Sequence, residues 1–107
     1  MTKFPRAFQA FQKRYPKVFK AYEALGAAAH ESGPLDAKTR ELVKLGMAIG
    51  GRLEGAVRSH AHRALEAGAT PKEIEHVVLL AVTTSGFPTA VAAYTWVEEI
   101  VRPQRGK

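Results

Sequence analysis

Between Leu53 and Glu73 the chain spells out one helix, its end and the start of the next. Leu53, Ala56, Val57, His60, Ala61, Ala64 and Ala67 recur at three- and four-residue steps and so fall on one helical face. Gly68 then offers the left-handed C′ conformation that closes a helix. Thr70-Pro71-Lys72-Glu73 supplies an N-cap, a proline at the first helical position and a capping-box glutamate. A chain punctuated in this way is committed to helix packing on helix.

The rest follows the same period. A short helix from about Pro5 to Arg14 leads through Tyr15 into a second from Pro16 to His30, which Gly33 and Pro34 close. Asp36 is placed to cap a helix over Ala37–Ile49, ended by Gly50 and Gly51; that helix is apolar on most sides, as expected of one surrounded by others. Ile74, Val77, Val78, Ala81 and Ser85 make one face of the helix after Thr70. A last helix, Pro88–Arg102, is expected to turn Val91, Tyr94, Val97 and Val101 inward and to stop before Pro103. No stretch alternates as a strand does. The fold class is all-α: one domain over residues 1–107, about five to six helices, with N-terminal helices over 1–34 and a core over 35–102.

Composition bounds the chemistry. With 107 residues and 46% hydrophobic content the chain supports one core. It contains no cysteine, which excludes disulfides, thiolate metal sites and any mechanism that cycles the chain's own thiols. No apolar run approaches the length of a bilayer span, and the first ten residues have no apolar signal region, so a cytoplasmic protein without a membrane partner is expected. The formal charge of +6 gathers at the ends, where Lys3, Arg6, Lys13, Arg14, Lys17 and Lys20 precede the first acid. Those bases are read as a solvated face behind an aromatic packing stripe of Phe4, Phe8, Phe11, Tyr15 and Tyr22, rather than as a nucleic-acid surface.

Two ionisable groups aim inward. His60 lies within the apolar stripe, and Glu41 shares a helical line with Leu45 and Ala48. Imidazole is the side chain that titrates nearest neutral pH, so His60 can donate or accept a proton, with Glu41 orienting it or relaying protons. The opposing reading is a buried structural pair in a non-catalytic scaffold or binding module. Arg58, on the flank of the stripe, can hold a carboxylate bidentately. His60 and His62 are two apart, on nearly opposite sides of a helix, and no His-x-x-x-His pair exists, so neither a metal nor another cofactor is expected. Apolar helix faces in excess of what a chain this short can cover point to self-association.

From Leu35 to Ile100 the order of features resembles the carboxymuconolactone decarboxylase family, which includes the alkyl-hydroperoxidase D-like proteins. Residues 39–82 carry the likeness through Ala64-Leu65, Gly68, Thr70, Glu73 and Ile74, and Gly86 and Pro88 extend it. In the peroxidase branch a Cys-x-x-Cys pair stands between a glutamate and a histidine. The matching positions here are Leu53 and Ala56, between Glu41 and His60, so that branch's thiol chemistry is absent. The cysteine-free decarboxylase branch is similar around Arg58-Ser59-His60 and Ser85-Gly86-Phe87-Pro88, but has an acid where this chain has Ala56. The resemblance implies decarboxylation or related proton transfer on a small carboxylated lactone without a cofactor. Catalysis would fall to His60 and Glu41, substrate binding to Arg58 and Ser85, and the assembly would be a homotrimer or homohexamer.

Overall fold

The computed structural model describes residues 6–105. Lys3, Phe4 and Pro5, which entered the sequence reading, lie outside the described residues. Six α-helices appear in chain order: α1 (Arg6–Arg14), α2 (Pro16–Glu31), α3 (Ala37–Gly50), α4 (Glu54–Glu66), α5 (Pro71–Thr84) and α6 (Phe87–Arg105), with no strand among the described residues. The chain divides at Leu35 into two compact units.

The first unit is the α1–α2 elbow. Tyr15, at φ −126° and ψ 64°, leaves helical geometry, and Pro16 restarts the helix at its first position. Phe8 meets Phe19 edge-on at 5.5 Å between centroids, and this contact joins the two arms. The aromatic stripe is otherwise open: Phe11, Tyr15 and Tyr22 remain exposed, and Phe19 alone among the residues of α1 and α2 is buried.

The second unit is a four-helix bundle in up-down-up-down order. In it α3 packs on α4 and α5, and α6 packs on α5 and α4, while the diagonal pairs scarcely touch. Lys38 bonds Glu73 near the starts of α3 and α5, and Gly50 lies beside Ser85 near their ends, so these two helices run parallel. The core is built from few large side chains. Leu45, Ile49, Val57, Ile74, Val97 and Val101 are fully buried, and Ala48, Ala61, Ala64, Ala81, Ala90 and Ala93 fill the crossings between them. Small residues at a crossing let helices approach closely, and each buried methyl still removes apolar area from water.

The helix boundaries obey local hydrogen bonding. Asp36 Oδ1 accepts from the Thr39 N–H at 2.9 Å, and Thr70 and Glu73 form the reciprocal capping box at 3.1 and 2.9 Å. At the end of α4, Ala69 N–H bonds the Ala64 carbonyl and Gly68 N–H that of Leu65, a Schellman closure with Gly68 at φ +101°. The end of α3 falls at Gly50 and Gly51 as expected, and the left-handed conformation lies just beyond them. There Leu53 N–H bonds Ala48 and Arg52 N–H bonds Ile49, so the left-handed residue is Arg52, at φ 54°. Its guanidinium bonds Thr89 Oγ1 at 2.8 Å, which ties the strained turn to α6.

Three expectations fail. The buried line of α6 is Ala90, Ala93, Val97 and Val101, so Val91 and Tyr94 are exposed; the larger residues on this helix do not mark its inner face because alanines occupy the close crossing. The same helix runs through Pro103 to Arg105, since a proline near a helix end removes only one bond and the last turn tolerates that loss. Likewise α3 is not surrounded: Val43 and Met47 face solvent.

Truncating Thr70 to alanine should lower stability by about 1 kcal/mol in urea titrations, because one orphan N–H at the start of α5 loses its acceptor. Acid should act on the same caps. The Thr39 N–H holds the Asp36 carboxyl below the ordinary carboxylate range, and the Thr70 N–H, followed by the Lys38 ammonium, does so for Glu73. The unfolded chain then takes up these protons first. The stabilising contribution is complete above the ordinary value of about 4 and is lost as pH falls through the lower folded values. Urea midpoints measured down through this window should fall more steeply for wild type than for the Asp36→Asn, Glu73→Gln double variant.

Candidate active site

The bundle brings together the two residues that the sequence aims inward. Glu41 lies in the second turn of α3, His60 in the middle of α4, and the antiparallel packing of these helices sets them side by side. His60 Nδ1 stands 2.8 Å from Glu41 Oε1. The two side chains are only 17% and 9% exposed. A carboxylate accepts only, so the arrangement assigns the proton to Nδ1 and turns Nε2 away from Glu41. Nε2 makes no hydrogen bond among the described residues, which leaves it available to a ligand or to water.

Leu53, Ala56 and His60 stand at i, i+3 and i+7 along one line of α4; Leu53 is exposed, and Ala56 and His60 are partly buried.

The other expected site residues lie elsewhere. Arg58 is turned toward α6, where it bonds Glu99 Oε1 at 2.6 Å and, within its own helix, Glu54 Oε2 at 3.1 Å. The Glu99 carboxylate, helped by Glu54, raises its already high pKa further. Arg58 therefore clasps α4 to α6. Two residues of separation place it about 200° around the helix from His60, a relation that the sequence already contains. Ser85 is exposed at the end of α5 and lines a groove of about 400 Å³ between α3 and α5, together with Leu42, Val43, Gly46, Val77 and Leu80. Neither Glu41 nor His60 lines that groove. His62, on the far side of α4, has its Nε2 3.2 Å from Glu66 Oε2 but outside hydrogen-bonding geometry.

Sequence comparison fixes the lineage. The profile of the carboxymuconolactone decarboxylase family matches residues 16–99. The chain belongs to that family. The match begins at the first residue of α2, well before the Leu35 start that the motifs suggested, because α2 carries apolar spacing rather than recognisable signatures. An uncharacterised protein of Haemophilus influenzae is 49% identical over 59 residues, which make up 55% of this chain and 52% of that protein, so the chain matches about half the length of this relative. An uncharacterised protein of Cupriavidus necator is 27% identical over 93 residues, covering 87% of this chain and 82% of that one. Among solved structures, the apo form of a carboxymuconolactone decarboxylase family protein from Legionella pneumophila superposes with a TM-score of 0.73 at 27% identity, covering 86% of this chain and 82% of that one. The all-α architecture is the family fold. No helix among the described residues is long and apolar enough to cross a membrane.

Removing one partner of the Glu41–His60 pair should cost more than removing both. Glu41→Ala strands a mostly buried imidazole and is expected to destabilise by about 1–3 kcal/mol, whereas a Glu41→Leu, His60→Leu double variant should recover part of that loss. A double-mutant cycle by urea denaturation measures the coupling.

Proposed function

We propose that the chain is a cofactor-independent acid–base catalyst of the decarboxylase type, acting on a small carboxylated lactone or related anion. The observation that carries this reading is the Glu41–His60 pair, in which one imidazole nitrogen is fixed by a carboxylate and the other is left to work. Loss of carbon dioxide from such a lactone breaks a carbon–carbon bond, and the electron pair passes toward the ring carbonyl. The carbanionic carbon then takes a proton. Protonated His60 delivers it from Nε2, becomes neutral, and is reprotonated from water, while Glu41 stabilises the cationic ring before transfer and keeps Nδ1–H oriented afterwards. The net positive charge favours approach of an anion. Arg58, on the other side of α4 and held by Glu99 and Glu54, and Ser85, in the α3/α5 groove, take no part in this scheme. Thiol peroxidase chemistry has no place here, since Leu53 and Ala56 occupy the positions of the peroxidatic pair.

The burial of both side chains supports a second reading, a non-catalytic member in which the pair is purely structural. One pair of measurements separates the two. On the catalytic reading, thermal-shift screening against small carboxylated lactones yields a ligand that raises the melting temperature by mass action, and His60→Gln abolishes turnover of that ligand while the variant stays folded. Unchanged turnover in His60→Gln removes the imidazole from the mechanism. Absence of any stabilising anion, combined with a pH-dependent stability loss in Glu41→Gln, leaves the structural role.

A further inference from the structure

Arg58 is turned to α6, so the carboxylate of the proposed ligand needs another cation. The seam between α3 and α4 carries three further bases, and the Glu41–His60 bond fixes where they stand. At about 100° per residue, the circuit of α3 runs from core Leu45 through Glu41, about 40° round, to Lys44 at about 100°. On α4 it runs in the same sense from core Val57 through His60, about 60° round, to Arg63 at about 120°. Lys44 and Arg63 thus lie past the pair, on the side away from the core. Arg40 precedes Lys44 by four residues and joins it on α3. All three bases are half-buried. The other acids of these two helices are directed elsewhere: Glu54 bonds Arg58, and Glu66 brings Oε2 within 3.2 Å of His62 Nε2.

We propose that Arg63 holds the carboxylate of the ligand that meets His60, with Lys44 adding charge from across the seam. Helical side chains lean toward the N-terminus, so Arg63 covers the turn that contains Ser59 and His60, and Lys44 covers the turn that contains Arg40 and Glu41. A guanidinium matches a carboxylate with two parallel N–H bonds, whereas an ammonium offers a point charge. Arg63 is therefore the orienting group and Lys44 an attracting one. Both bases keep contacts of their own. With five N–H donors, a guanidinium retains such a contact and still binds an anion. Half-burial strengthens the attraction, since solvent and salt screen it less than they screen a fully exposed pair. This role for Arg63 rests on the reading that a small anion approaches His60, and it names the residue that makes the site prefer an anion to a neutral lactone.

Calorimetric titration of the full chain with γ-butyrolactone-γ-carboxylate tests it, because the carboxylate of this saturated lactone is not conjugated to the ring carbonyl and the molecule stays intact. Wild type should bind the acid about tenfold or more tightly than the corresponding carboxamide, and the His60 imidazole signal should move on binding. Arg63→Gln should weaken binding of the acid by about tenfold or more and leave the carboxamide as it is, while Arg63→Lys recovers part of the loss. Lys44→Gln should cost about threefold, and Arg58→Gln nothing. Turnover separates this role from the catalytic reading. Binding that depends on Arg63, without decarboxylation of any lactone from the thermal-shift screen, keeps the anion seat and removes the catalyst. Turnover that depends on His60 with a KM unmoved by Arg63→Gln keeps the catalyst and removes the seat. A wild type that does not prefer the acid, an undiminished preference in Arg63→Gln, or an equal loss in Arg58→Gln would overturn the proposal.

Discussion

Close approach of helices through alanine is the constraint on which the second unit depends. Ala61 and Ala64 on α4 and Ala90 and Ala93 on α6 are buried where a larger side chain would hold the helices apart. The few large residues, Leu45, Ile49, Ile74 and Val97 among them, then fill the remaining centre. The consequence reaches the site directly. A 2.8 Å contact between a carboxylate on one helix and an imidazole on the next requires backbones that sit near each other, because a glutamate side chain has limited reach.

The polar pair and the apolar core are thus one construction. Leu45 and Ala48 flank Glu41 on the buried line of α3, and Val57, Ala61 and Ala64 surround His60 on α4. Such surroundings make an unpaired polar group expensive and a paired one well defined in position. Arg58 contributes at the margin by clasping α4 to α6 through Glu99, which fixes the helix that carries the imidazole. It is a surface ion pair with exposed partners, and its effect on stability is correspondingly modest.

Much of this was readable from the residues. Helix number, the capping box at Thr70, the closure at Gly68 and the inward direction of Glu41 and His60 all followed from spacing and local hydrogen-bonding chemistry. What did not follow was decided by tertiary contact. Periodicity gives two candidate faces to α6, and preference for the larger side chains selected Val91 and Tyr94 over Ala90 and Ala93. Hydrophobicity alone made α3 look enclosed, whereas Val43 and Met47 belong to an open face. The turn after α3 has two glycines in a row, yet the left-handed residue is the arginine that follows, held by its bond to Thr89. The resemblance to the decarboxylase branch groups Arg58 with His60, although a separation of two residues sends side chains to different sides of a helix.

The parallel run of α3 and α5 carries an electrostatic consequence. Adjacent helices in a bundle more often run in opposite directions and cancel each other's dipoles; these two align, so partial positive charge accumulates at one end of the pair and partial negative charge at the other. Asp36 and Glu73 answer the first end. At the second, beyond Gly50 and Ser85, stands Arg52, a cation in the backbone conformation usually reserved for glycine. Its guanidinium donates to Thr89 Oγ1 in the first turn of α6, and this bond gives a reason for a bulky residue to occupy so unfavourable a turn.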